Sequence, residues 1–431
     1  MNTARLILLG LIAAVPAILL IGGPVISGFV AAISAAGVAV VATSLRPGEA
    51  EFLLSVIRPL AAIAVLALLF MLFQVVPIKT SALAHPIWLS AEQALGRSIS
   101  GAISIDPGAT LLALGQCLVI FAIGFVAAAV ALDRERAEWL LFALVTATAA
   151  VAAVVILNDV LGSSFLSSTA SARSQAQACV ALGIICSVAA ASRTFERYET
   201  SHLRPGRSRR VLRWTFAACV TALALCAIAL ALDVTSGVMF AVTYGLGMFM
   251  AVVAIRRISL GSWGCLGLLV IAAAIAIVLM ATRPAGSPDA TLAFASHQPQ
   301  ALVSTTERIL ADGPALGTGA GTFSFLVPIY RDEGDPVATA APTTAAEVAV
   351  ELGRPMLWAI VAVTVAGIFT LLRGALGRGR DSFYPAAGAS SLLLLLLLIF
   401  CSNGVLGIPI GICIAAIIGV AFAQRQSRMV T

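Results

Sequence analysis

Apolar stretches about twenty residues long recur along nearly the whole chain, and no other feature constrains the fold as strongly. A helix advances about 1.5 Å per residue, so about 20 apolar residues are needed to cross the hydrocarbon core of a bilayer. Twelve such segments are read, at roughly 6–22, 24–45, 57–78, 108–132, 138–160, 174–192, 211–232, 236–255, 259–282, 355–372, 384–402 and 404–423. The last two form one apolar stretch, divided at the turn signal Ser402-Asn403-Gly404. The expected fold is an all-α polytopic membrane protein with about 12 transmembrane helices. Composition agrees: 60% of the residues are hydrophobic and 11% charged, against about 25% charged in soluble chains. That balance excludes a soluble enzyme, a disordered chain and a nucleic-acid binder, and it makes the lipid bilayer the first partner.

The basic residues orient the spans. With the N-terminus placed in the cytoplasm, 19 of the 26 Lys and Arg residues fall inside and seven outside. Every even-numbered connection is then basic, as the positive-inside rule requires, and both termini are expected in the cytoplasm. One miscounted helix would invert every later loop, so the agreement checks the count. Arg5 and the apolar run after it resemble the start of a signal peptide. A second span follows at once, however, and an uncleaved first helix is expected. The eight cysteines all lie in apolar segments, with no Cys-x-x-Cys and no His or acid at ligand spacing. Neither a metal site nor a cofactor is signalled.

Residues 1–282 thus carry spans one to nine, 283–354 a long outer loop, and 355–431 the last three spans and a cytoplasmic tail. The basic loop 193–213 reads as a topology signal, with lipid or nucleic-acid binding as the alternative. A second outer segment, 79–107, holds Ser90-x-x-Gln93, and a short interfacial helix is expected there. In the long loop, the capping boxes Ser304-x-x-Glu307 and Thr344-x-x-Glu347 open two short helices. Between them lie the glycine-rich turn GPALGTGAGTF and the segment VPIYRDEGDP, read as an extended arm.

No charge stands in the middle of a span. Ion-coupled transporters keep ionisable groups inside the membrane, so this weighs against transport; broken helices keep it as an alternative. Functional charges are then expected outside, at Arg173, Arg308 and Arg331. A guanidinium holds phosphate bidentately and stays charged, so three converging arginines would hold a pyrophosphate. The alternative is pairing with nearby acids: Asp332, Glu333 and Asp335 beside Arg331, Glu307 and Asp312 near Arg308. Gly313, Gly317, Gly319 and Gly321 would offer backbone N–H groups to an anion, or simply make the turn. No Gly-Lys-Ser/Thr follows, so the turn is not a P-loop. His85 and His297 are outer candidates for a base, or ordinary surface histidines.

Arg308, GPALGTGAGTF, Pro328-Ile329-Tyr330 and Glu351-Leu352-Gly353 follow one another in a definite order and spacing, preceded by ARSQAQA (172–178) and LDVTSGVMF (232–240). On these motifs the chain resembles the O-antigen ligase / O-antigen polymerase superfamily of bacterial envelope glycosyltransferases. The likeness is detailed over roughly 230–355, and the topology extends it to the whole chain. Three positions depart from the family pattern. Pro342 stands for its His, Thr343 for the following Asn, and Gly237 for an Arg expected after Ser236.

The resemblance implies a polymerase or ligase moving glycan from a polyprenyl-diphosphate-linked oligosaccharide to an acceptor hydroxyl. The reaction would take place at the outer face of the bacterial inner membrane, beside other polysaccharide assembly proteins. It implies Arg308 and Arg331 as catalytic residues that stabilise the leaving diphosphate. Arg173, Gly317, Gly319 and Tyr330 would complete the diphosphate site. With Pro342 in place of the family's base, Glu347 is the expected substitute, since it shares a helix face with Glu351; helix capping is its alternative role. A non-catalytic scaffold of glycan assembly and a lipid or glycan transporter are the alternative functions.

Overall fold

The computed structural model describes residues 1–78, 83–162, 170–200, 209–232, 236–258, 289–295, 298–332, 340–377 and 382–425. Every regular element among them is a helix, and the chain is an all-α, multi-pass membrane protein. The membrane helices are α1 (Asn2–Ala13), α2 (Val15–Ile21), α3 (Pro24–Ser44), α4 (Pro47–Val75), α6 (Pro107–Val130), α7 (Arg134–Leu161), α8 (Ala170–Thr200), α9 (Arg209–Leu232), α10 (Ser236–Ile258), α14 (Arg354–Gly377), α15 (Phe383–Cys401) and α16 (Ile408–Ala423). The loop helices are α5 (Ile87–Leu95), α11 (Gln300–Asp312), α12 (Phe323–Tyr330) and α13 (Thr344–Glu351).

Among the described residues, nine helices are long and apolar enough to span a membrane, and the bent pair α1 and α2 brings the number to ten if it is counted as one span. Helix α16 has 16 residues. The ninth expected span, 259–282, lies outside the described residues. Large apolar side chains such as Leu66, Leu112, Phe121 and Phe369 point outward from the bundle, as they do where the surrounding solvent is hydrocarbon.

Helix starts follow local chemistry. Asp106 caps α6 by accepting the N–H groups of Gly108 (2.8 Å) and Ala109 (3.1 Å), and Pro107 occupies the first position, where no N–H is needed. Asp133 caps α7 through the Glu135 N–H at 3.1 Å. The first span differs from expectation: α1 and α2 bend by 45° around Ala14, because Pro16 removes a backbone donor. Helix α4 begins at Pro47, well before the expected 57, and α8 outruns 174–192 at both ends. The last turn is longer than expected, so α16 starts at Ile408 after residues 402–407.

The helices pack around one apolar core, with α16 against α6 and α15, and α8 against α7 and α9. Two ends of the bundle can be told apart by what they carry. At one end Met1 shares a small cavity with Glu49, Leu132 and Asp133, and the Gln424 amide donates to the Ala131 carbonyl at 2.6 Å. This is the terminal end. The other, the loop end, carries α5 and α11–α13.

The extension of α8 carries Arg193 out of the expected loop and into the core, where it is 2% exposed. Its guanidinium meets Glu138 at 2.9 Å, donates to the Tyr384 hydroxyl, and lies 5.2 Å from the centre of the Phe383 ring. Arg197 pairs with the same carboxylate. Glu138→Leu removes the acid both arginines share and is expected to cost about 3–5 kcal/mol of unfolding free energy. Glu138→Leu combined with Arg193→Met is expected to recover most of that loss. Unfolding midpoints in detergent micelles check both.

Candidate functional site

The long loop is ordered by a small apolar core of its own, built from residues such as Ile309, Leu310, Phe323, Leu326 and Val350. Two expectations change here. Helix α11 opens at Gln300 behind Pro299, so Ser304 lies mid-helix and its hydroxyl donates to the Ala301 carbonyl at 3.0 Å instead of capping. The expected extended arm is helical through Tyr330: Phe323, Leu326 and Val327 fall on one helical face and are buried against the loop core.

The glycine-rich turn follows α11. Gly317 and Gly319 have φ of 77° and 106°, a region that disfavours any side chain. A Cβ on Gly317 would strike the Glu351 carbonyl, and one on Gly319 would strike the Ser104 hydroxyl. Their own N–H groups bond to the carbonyls of Pro314 (2.9 Å) and Glu351 (3.0 Å). The N–H groups of Gly321, Thr322 and Phe323, just after them, converge on the Glu351 carboxylate, with Phe323 at 3.1 Å. The turn is thus an anion nest, and the anion it holds is the protein's own Glu351.

Gln74, at the end of α4, locks this arrangement. It is fully buried. Its amide donates to the carbonyls of Leu316 (2.9 Å) and Glu351 (3.0 Å) and accepts the Ala320 N–H at 3.3 Å. A lone amide at the end of the apolar run FMLFQVV is its sequence signal, and Gln74 was not among the expected site residues.

Helix α13 brings Glu347 beside Glu351. The cap is Thr343, not Thr344: its hydroxyl accepts the Ala346 N–H at 3.1 Å and donates to the Thr291 carbonyl at 2.8 Å. Glu347 therefore sits beyond the position that completes a capping box, and its half-buried side chain lines a cavity together with Glu351. Burial, and then the charge of Glu351, push the Glu347 carboxyl well above the usual carboxylate range. Burial raises Glu351 as well, against the opposing pull of its three N–H donors. Glu347 and Glu351 thus face one cavity as two carboxyls that resist ionising together, and backbone N–H groups favour the charge on Glu351.

The cavity has a volume of about 640 Å³ and lies at the loop end. Its polar lining is Glu347, Glu351, Gln116, Gln175 and Asn403, with smaller hydroxyl groups; Ile18, Ile26, Ile120 and Ile408 give it apolar walls. Among the described residues its lining holds no Arg, Lys or His. Gln116, Gln175 and Asn403 were not expected as site residues, although Asn403 belongs to the expected turn and Gln175 to the segment ARSQAQA.

The three arginines lie elsewhere. Arg308 closes on Asp332 through two bonds of 2.9 Å, so its partner is the acid expected for Arg331, and this holds the Asp332 carboxyl below its ordinary value. Arg331 ends α12 through its N–H, which donates to the Val327 carbonyl at 3.0 Å. Tyr330 packs on the loop core and bonds to Asp312. Arg173 is exposed in the first turns of α8, between Ala172 and Gln175, which both line the cavity. His85 accepts the Ile87 N–H at 3.3 Å, at the start of α5, away from the cavity lining. His297, Glu333 and Asp335 lie outside the described residues. Pro342 is buried next to the cap of α13. A side chain at Gly237 would meet Cys401 at 2.8 Å, so α10 and α15 leave no room there for an arginine.

No protein-family model matches the chain, and no curated protein matches it.

Two outcomes are expected. Gln74→Leu strips partners from two carbonyls and one N–H in a dry environment, at about 1–3 kcal/mol for each group left unmet. Hydrogen exchange at 316–323 is expected to rise while exchange in α6 and α15 is unchanged. The second concerns pH. The folded protein retains protons on the Glu347–Glu351 pair above the ordinary value of 4.5, where the unfolded chain gives them up. Stability therefore falls as pH rises from about 4.5 through the raised values. Glu347→Gln is expected to flatten that slope, as read by unfolding midpoints across pH.

Proposed function

We propose that the chain is an enzyme of lipid-linked glycan assembly, with the cavity at the loop end as its reaction chamber. The supporting observation is the Glu347–Glu351 pair: two carboxyls whose burial resists ionisation, on the wall of a half-apolar cavity, one of them cradled by backbone N–H groups. A carboxylate in this state is a base poised near neutral pH.

In the reaction, the acceptor hydroxyl gives its proton to the carboxylate pair as its oxygen forms a bond to the anomeric carbon of the donor. The bond from that carbon to the carrier oxygen breaks, and the diphosphate leaves with the electron pair. The leaving group is already a stabilised anion, so the weight of catalysis falls on the acceptor side. This reading places the loop end at the outer face of a bacterial inner membrane and the terminal end in the cytoplasm, in keeping with the basic residues. Polymerase and ligase share this chemistry and differ in the acceptor. The same pair of carboxyls also supports a second reading, a lipid or glycan carrier driven by protons.

The test replaces the chromosomal gene with wild type, Glu347→Gln or Glu351→Gln and sizes lipid-linked and surface glycan on one gel. Glu351→Gln is expected to slow transfer by about 10²–10⁴-fold while the protein remains inserted. Single repeats without long chains identify a polymerase; long chains held on the carrier identify a ligase. Substrate accumulating on the cytoplasmic side supports the carrier. An unchanged profile, with the gene expressed, sinks both.

A further inference from the structure

We propose that the cavity is a subsite for a neutral sugar: Gln116, Gln175 and Asn403 bind its hydroxyls beside the carboxylate pair, and the diphosphate stays outside. This rests on the reaction assigned above and adds which part of the substrate enters.

Three separate elements bring the amides together. Gln116 comes from α6, Gln175 from the first turns of α8, and Asn403 from the turn 402–407. Their closeness is built into the backbone. A Cβ on Gly404 would run into the main chain of Ser174 and Gln175, and one on Gly407 into the Gln175 amide itself. The same turn fixes the carboxylates, since the Ser402 carbonyl accepts both the N–H (2.9 Å) and the hydroxyl (2.8 Å) of Thr344 at the start of α13. Asn403 and Glu347 are therefore held to one turn and face one cavity.

The chemistry then selects the occupant. Asn403 lines the cavity together with Gln116 and Gln175. A sugar hydroxyl donates and accepts, and so satisfies both ends of an amide and a carboxylate. A phosphate oxygen offers acceptors alone, and here it would face two acids and no cation in the lining. The apolar wall of Ile18, Ile26 and Ile408 suits the aliphatic part of an amphiphile or the apolar face of a pyranose. The ligand class is a neutral, sugar-headed molecule.

Cys117 lines the same cavity and is half-buried, so it reports occupancy. The full chain in phospholipid vesicles is treated with N-ethylmaleimide, and modification of Cys117 is followed by mass spectrometry. Dodecyl maltoside, below the concentration that dissolves the vesicles, is expected to slow the reaction several-fold. Dodecylphosphocholine, with the same chain and a charged phosphate headgroup, is expected to leave it nearly unchanged. Asn403→Leu and Gln175→Leu are expected to abolish that difference; an unaltered rate without amphiphile shows that the cavity is intact. Equal protection by the two amphiphiles, or a maltoside preference that survives both substitutions, overturns the subsite. If the preference holds while Glu351→Gln leaves the glycan profile untouched, the reaction fails and the subsite stands. If Glu351→Gln blocks glycan growth and the preference is absent, the reverse is true.

Discussion

Gln74, Glu351 and the glycine turn meet in a dry contact at the end of the bundle, and the loop's placement depends on it. The turn brings backbone N–H and carbonyl groups into a region with little water, where each needs a partner. One buried amide and one carboxylate supply most of them. Gly317 and Gly319 let the strands of this knot approach, because a side chain at either would strike Glu351 or Ser104. The consequence reaches the chemistry. Glu351 is held where it satisfies the turn, and that places it on the cavity wall.

The spans were legible because their signal is long and redundant. A run such as 107–130 has no other stable fate in hydrocarbon than a helix. Interruptions were less legible. Pro16 breaks the first span, whereas Pro59 lies inside an unbroken α4, so one residue type gave two outcomes. Packing at the terminal end also overrode charge. Arg193 reads as a loop residue, yet Glu138 and Tyr384 draw it into the core. The short loop helices were found, but their starts were set by tertiary contact: α11 begins ahead of its capping box and α12 replaces an extended arm.

The site was legible only in part. Glu347 and Glu351 share a face because they are four apart on a helix, and that can be read from sequence. The glycine turn was read either as an anion cradle or as a simple turn: the N–H groups of Gly317 and Gly319 go to carbonyls, while those at its end meet the chain's own Glu351 carboxylate. Which arginine meets which acid depends on the packing of α12 beside α11, and Arg308 took Asp332 from its neighbour. The cavity amides were invisible because Gln116, Gln175 and Asn403 come from three distant segments, and no spacing in the sequence joins them.

The division between cavity and surface has an electrostatic logic. Two carboxylates in a half-apolar cavity cannot both ionise cheaply, so the pair keeps a proton. A guanidinium beside them would draw that proton off and convert a base poised for neutral pH into an inert ion pair. An anionic group entering the same cavity would do the opposite and hold both carboxyls protonated. A pair of this kind works only if cations and phosphates are kept out of its immediate surroundings. The lining meets that condition among the described residues, with amides in place of charges, while Arg308 lies on the loop's exposed side bound to Asp332. In the proposed reaction, separating the proton-handling groups from the charged ones is what would let two acids on one helix act as a base at the edge of a membrane.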